Sequence, residues 1–406
     1  MRFQSLRLSE QISNNMNKAP VQLVEVDTEG DEQDVSEQLS PKTVAAVVSG
    51  NDWTTETVVS QLEKENIQLS PRFQRRDAWK IDRKSRFIES LIVGLPIPQI
   101  VLAESKAERG KFIVLDGKQR LLSILQYWGR GQGPNNAYGL SGLTIRKDLE
   151  HISFDELSRK SAWRDDFNSL CNQPIRTIVI RNWKDTNFLH TVFLRLNTGS
   201  VNLSPQELRQ ALIFGRFTDY VDDAAGTSPG LRILLGTVEP DPRMRDIEIF
   251  ARFLAFRFRA IEYPGRMKEF LDDTFKIFNK KWTEYEEEID SAKAEFERGI
   301  EDLIKIFGHD LARKPTSLQF NRAIFDALIY FQSDPEVRKA LREKRALVKK
   351  AYVNLFSPES AFSKAIESDT AGAPNTSARL RIWADVISKI AGRKFAAPAI
   401  PVASVE

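Results

Sequence analysis

The chain has 406 residues, 41% hydrophobic and 28% charged, with a net charge of +3, which is ordinary for a globular protein long enough for two or three domains. One cysteine excludes an internal disulfide, and His151, His190 and His309 lie too far apart in sequence to suggest a zinc site or a metal-dependent His-Asn-His nuclease centre. No apolar run approaches the roughly 20 residues that cross a bilayer, so no membrane partner is expected and, with no signal peptide in view, the expected location is the cytoplasm.

Residues 1–50 read as an acidic flexible arm. Seven acids and no base lie between Val24 and Glu37, a composition that favours solvation over packing. An acidic mimic covering a basic groove is the functional alternative. From Trp53 the pattern becomes compact. Residues 54–64 predict a helix, and 67–69 a strand ended by Ser70-Pro71. Asp82 is expected to cap a helix whose Phe87, Ile88, Leu91 and Ile92 face a core. Gly94-Leu95-Pro96-Ile97-Pro98 stops that helix and starts a strand over 99–102.

KFIVLDGKQRLLSILQYW, residues 111–128, is strand-like up to Leu115 and helix-like from Gly117, where Leu121, Leu122, Leu125 and Trp128 recur at helical spacing. Asp116, Lys118, Gln119 and Arg120 therefore surround a helix N-terminus, where free N–H groups and the helix dipole favour an anion. Gly117 lacks the Cβ that would keep a phosphate off the backbone. An acid such as Asp116 beside a phosphate makes chemical sense with a Mg²⁺ ion or a ribose hydroxyl between them. The plain alternative is a tight turn in which Asp116 caps the helix and the cations are solvated. Elsewhere no Walker-type phosphate loop and no Gly-x-Gly-x-x-Gly fingerprint occurs, so a nucleotide would need another architecture.

Residues 129–142, rich in Gly and Asn, read as a mobile loop, and 173–181 as a strand. A helix over 187–196 leads into the RLNTGS loop, 195–200. Ser204-Pro205-Gln206-Glu207 then forms a capping box with proline at the first helical position and staple spacing from Leu203 to Leu208. From residue 241 the periodicity is helical. Residues 369–378 read as a small-polar loop, one more helix carries Trp383, and 395–406 read as a disordered tail. The expected architecture is α+β: the arm (1–50), a mixed α/β core (51–240), a helical domain (241–394) and the tail.

Two further clusters accompany the turn. In PRFQRRDAW, Gln74 and Arg75 follow a strand end, where a rigid scaffold usually places ligand groups, and arginine suits phosphate through its bidentate fork. Arg72 and Arg76 read as solvated arginines or as contacts to DNA phosphates. In RLNTGS, Asn197 and Gly199 read equally as helix punctuation or, with Arg195, as a loop closing over a nucleotide. PRMRDIEIFARF carries Arg243, Arg245, Asp246, Glu248 and Arg252, and its Glu248/Arg252 spacing predicts an internal ion pair.

Taken together, PRFQRRDAW, FIESLIVGLPIPQIVL, FIVLDGKQRLLSIL and FLRLNTGSVNLSPQELRQAL resemble the N-terminal domain family of GmrSD-type restriction endonucleases, and they occur in that family's order. The resemblance implies a ParB/sulfiredoxin-like core that binds and hydrolyses an NTP at an Asp-Gly-x-Gln-Arg signature, in a bacterial DNA-restriction or antiphage system. Carried over, it makes Asp116, Gln119 and Arg120 the catalytic candidates. It likewise makes Gln74, Arg75, Asp116, Gly117, Gln119, Arg120, Asn197 and Gly199 nucleotide-binding candidates, to which the residues themselves add Lys118 and Arg195, and Asp116 is expected to hold a Mg²⁺ ion or orient water. Lys118 departs from the family's usual glutamine, which favours phosphate binding and shifts the balance away from hydrolysis. The chain offers no counterpart of the His-Asn-His domain that restriction members often add, so DNA cleavage would need a separate nuclease partner. The helical domain would dock such a partner, DNA or a second copy. The rival readings are a nucleotide-independent DNA-binding or scaffold module and, last, a nuclease within the ParB-like core.

Overall fold

The computed structural model describes residues 46–69, 79–106, 108–131, 136–183, 188, 189, 192, 204–315, 319–357 and 359–402. These fall into two compact units. One comprises the described residues up to Phe214 together with Pro242–Met244, and the other comprises Gly215–Asp241 and the residues from Arg245 onward. The chain is mixed in class, as the sequence implies: a sheet with helices, then helices alone.

The first unit runs β1 (Val47–Thr54), α1 (Thr55–Glu63), β2 (Ile67–Gln68), α2 (Ile81–Ile92), β3 (Ile100–Glu104), β4 (Phe112–Asp116), α3 (Lys118–Tyr127), α4 (Phe154–Arg159), α5 (Arg164–Asn172), β5 (Pro174–Arg181) and α6 (Pro205–Leu212). The strand order is β1-β5-β3-β4-β2. The β1/β5 and β3/β4 pairs are antiparallel, and β3/β5 and β2/β4 are parallel. Central β3 is buried on both faces because its alternate residues enter two cores. Ile100 and Leu102 pack with Ile88, Leu91, Leu121 and Ile124, while Val101 and Ala103 pack with Ile113, Leu115, Ile180 and Leu208. The helices α1, α2, α3 and α5 contribute to the first core and α6 to the second.

Several boundaries differ from expectation for physical reasons. β1 occupies residues 47–50 of the predicted arm. It is an edge strand, largely exposed, so it carries no apolar alternation, and its extended state follows from pairing with β5. Asp82 lies in the first turn of α2 and not at its cap, which is Lys80; its Oδ1 accepts a hydrogen bond from Ser141 Oγ at 2.9 Å. Within the predicted loop 129–142, Tyr138 and Leu140 are core residues. The loop that follows wraps the buried Glu89 carboxylate, which accepts from the backbone N–H groups of Thr144, Ile145 and Arg146 at 2.7–3.2 Å. Burial pushes this carboxyl up, but these bonds and the Thr144 hydroxyl outweigh it and hold the group below the usual glutamate range. Burial pushes the lone thiol, Cys171, up to about 11, so it is a packing residue.

The second unit contains α7 (Arg216–Thr227), α8 (Pro229–Leu235), α9 (Arg245–Arg259), α10 (Met267–Lys280), α11 (Trp282–Phe307), α12 (Arg322–Tyr330), α13 (Pro335–Glu343), α14 (Arg345–Asn354), α15 (Ala361–Lys364) and α16 (Ala373–Ala391). The sequence reading ends the α/β core at 240, whereas α7 packs on α9 and α10 and so joins the helical unit from Gly215. Helix α16 begins inside the predicted 369–378 loop. The expected tail is partly packed: Phe395 N–H donates to Ser388 Oγ at 2.9 Å and Ile400 is buried.

Helix α9 is buried over most of its length. Its Arg252 pairs with Glu248 at 3.6 Å, as the spacing predicts, but more closely with Asp326 of α12 at 2.5 Å. Arg322 reaches Glu248 at 2.7 Å. A guanidinium that is 1% exposed needs such partners, since an unpaired buried charge is strongly destabilising.

Candidate functional site

The strand-to-helix turn predicted at Gly117 is present, and its shape begins in the sheet. The β3/β4 register shifts between Val101, opposite Asp116, and Leu102, opposite Val114, so Leu115 is an extra residue on β4. Such a bulge re-aims the strand end next to it. Gly117 follows with φ 98° and ψ 9°, a left-handed conformation, and serves as the N-cap of α3 without a side-chain cap. A Cβ there would lie 3.0 Å from Ile100 Cγ1 and 3.3 Å from Arg120 Nη2. A Cβ at this position would press on Ile100 and on the arginine that folds back across the turn, so the left-handed backbone and the close neighbours both favour glycine.

Arg120 makes that fold-back with one nitrogen. Its Nη2 donates to Asp116 Oδ2 at 2.7 Å and to the Gln99 carbonyl at 3.0 Å. Its Nε is buried without a partner among the described residues, a donor that calls for explanation. Asp116 and Arg120 are 30% and 13% exposed, so the pair is shielded but reachable.

The two preceding residues tie in other segments. Gln119 Oε1 accepts from the Trp79 backbone N–H at 3.2 Å, which fixes the end of the PRFQRRDAW stretch to α3. Lys118 lies in the field of Glu207, on the first turn of α6, and α6 packs on β4. The capping box read from the sequence is formed: Glu207 N–H donates to Ser204 Oγ at 3.2 Å, and Ser204 N–H donates to Glu207 Oε2 at 2.6 Å. Arg243 Nε lies 3.6 Å from the same Oε2, and the Arg243 carbonyl accepts from Ser204 Oγ at 3.0 Å. Burial pushes the Glu207 carboxyl above its usual range, against the pull of Lys118, Ser204 and Arg243. One buried carboxylate thus stands in the field of two cations.

Of the predicted site residues, Asp116, Gly117, Lys118, Gln119 and Arg120 are brought together at this turn. Arg72, Gln74, Arg75, Arg76, Arg195, Asn197 and Gly199 lie outside the described residues. The described ends of their segments, Trp79 and Ser204, connect to Gln119 and to the Glu207 that faces Lys118. Sequence reasoning did not place Gln99, Glu207 or Arg243 here. Glu207 was visible only as a helix cap and Arg243 only as one member of a charge cluster, because both roles depend on contacts between distant segments.

Among the described residues, no group of three or more His, Cys, Asp or Glu could hold a metal ion, and no helix of the described chain is long and apolar enough to cross a membrane. No curated protein and no solved structure matches the chain. A family model does match residues 58–214, the GmrSD restriction endonuclease N-terminal domain, and all of that span lies in the first compact unit. The Asp-Gly-x-Gln-Arg turn, the Trp79 segment and the α6 capping box all lie within the span, residues 58–214, that is similar to the GmrSD restriction endonuclease N-terminal domain.

Proposed function

We propose that the chain is an NTP-binding and NTP-hydrolysing component of a bacterial DNA-restriction or antiphage system, with the phosphates received at the Asp116–Arg120 turn. The observation that carries this reading is that the consecutive side chains Gln119 and Arg120 hydrogen-bond to two different segments, at Trp79 and Gln99, while Lys118 beside them stands in the field of Glu207 on α6. The buried, unpartnered Nε of Arg120 is consistent with an acceptor supplied from outside the described residues.

In this reading Lys118 and Arg120 neutralise the phosphate charge, and Arg75 adds a bidentate contact. The phosphate competes with Asp116 for Arg120, and the carboxylate so released orients water toward the terminal phosphorus, giving NDP and inorganic phosphate. Gln119 holds the Trp79 segment in place. Asp116 is a single carboxylate, which suits a magnesium ion arriving with its nucleotide better than one held by protein ligands alone; bound there, the ion supplies charge neutralisation. Cleavage of DNA falls to a separate partner nuclease, and co-purification that yields no associated protein would count against that partner.

The test is calorimetric titration of ATP, GTP and CTP with Mg²⁺ into wild-type protein and Arg120→Ala, with phosphate release followed in parallel. Binding in the wild type that is lost in the variant supports the site, and release separates hydrolysis from binding alone. If no nucleotide binds folded wild-type protein, the proposal fails.

A further inference from the structure

A run of exposed, unpaired cations lies in the helical unit, outside residues 58–214. Residues 335–354, which make up α13 and α14, contain seven Lys or Arg and two Glu, a local net charge of +5 in a chain whose total is +3. Arg338 is buried against the Gln332 and Ser333 carbonyls, and Arg342 lies 3.9 Å from Asp302. Lys339, Arg345, Lys349 and Lys350 are exposed and make no ion pair with any described residue. Lys344 Nζ donates to the Ile390 carbonyl at 2.6 Å, which fastens the start of α14 to the end of α16. Exposed, unpaired Lys389 and Lys394 flank that point.

Stability does not explain this arrangement. Arg345 opens α14 with no acidic residue in the first turn and no side-chain cap, so a cation sits at the positive end of the helix dipole. Arg345 and Lys349 are like charges at i,i+4, which repel. Local choices that oppose helix stability are expected where function requires them. We propose that this corner, formed by α13, α14 and the C-terminal end of α16, docks the phosphate backbone of double-stranded DNA. Charge complementarity is the attraction, through counterion release. A lipid surface fits less well, because the exposed apolar residues of α14, Leu347 and Val353, stand about 120° apart around the axis and form no apolar stripe. The choice of DNA as the polyanion rests on the restriction reading; the surface does not depend on the nucleotide site.

The experiment uses the full chain and a fluorescent duplex of about 30 base pairs, titrated across a salt series. The variant Arg345→Ala/Lys349→Ala/Lys350→Ala is compared with Lys276→Ala/Lys305→Ala/Lys364→Ala, which removes the same charge from lysines already paired with Asp273, Glu301 and Glu359. The expected result is at least about a tenfold loss of DNA affinity in the first variant only. Its slope of log affinity against log salt should be shallower by about 0.9 for each phosphate that the variant no longer neutralises. Equal affinity in the two variants, or wild-type affinity in the first, overturns the proposal. Binding of duplex RNA or phosphatidylserine vesicles in place of DNA also overturns it. A parallel nucleotide titration of the first variant keeps the two readings apart: wild-type heats beside lost DNA binding uphold both, and absent heats in every protein sink only the nucleotide site.

Discussion

Arg120 and Asp116 hold each other at 2.7 Å across a turn that only glycine accommodates, and this makes single substitutions there informative. Asp116→Asn removes the carboxylate that competes with phosphate for Arg120. It should raise nucleotide affinity several-fold while lowering phosphate release, a split that calorimetry and a phosphate assay resolve together. Gly117→Ala forces a side chain into φ 98° and against Ile100, and thermal unfolding should show a loss of about 1–3 kcal/mol. Glu89 supplies the pH test. Its folded-state carboxyl is held below the usual value of 4.5, so its contribution is present above that value and is lost as pH falls through the depressed one. Denaturant unfolding of wild type and Glu89→Gln should differ most near neutrality and converge in acid. A constant difference across that range would remove the anion as the cause.

At the scale of elements, Glu207 on α6 stands in the field of Lys118 at the start of α3. Ser204→Ala removes the cap and should cost about 1 kcal/mol. Arg243→Ala removes the cation 3.6 Å from Glu207, whose field Lys118 shares; if Arg243 adds to the phosphate-binding field, nucleotide affinity falls with little change in melting temperature. An unchanged affinity would leave Arg243 a purely structural partner. Local elements were legible where the chain carries its own signal: the capping box of α6, the switch of period at Gly117 and the β5 strand all follow from neighbouring residues. The β1 strand was not legible, because an exposed edge strand has no apolar alternation and is held by hydrogen bonds to β5. Nor were α7 and α8 assigned correctly, since their membership of the helical unit is decided by what they pack against.

At the scale of the whole molecule, each unit has its own means of holding charge inside. In the helical unit Arg252 is buried against Asp326 and Glu248. Asp326→Ala should cost about 3–5 kcal/mol by leaving that guanidinium unpaired, whereas the matched replacement Arg252→Met/Asp326→Leu should be near neutral. Equal losses in the two variants would mean that shape, not charge, sets the cost. In the α/β unit a ligand that binds only the folded state raises the melting temperature by mass action, so the shift produced by nucleotide should vanish in Arg120→Ala. The sequence by itself determined the α+β class, the Asp-Gly-Lys-Gln-Arg turn and the likeness of residues 58–214 to the GmrSD N-terminal domain, because strand and helix periods, caps and motif order are local properties. Only the tertiary structure decided that Arg120 folds back across the turn to Asp116 and Gln99, that Glu207 lies in the field of Lys118 and Arg243, and where each unit begins. Those facts depend on which distant segments pack together, and side-chain packing across long separations leaves no period for a single sequence to display.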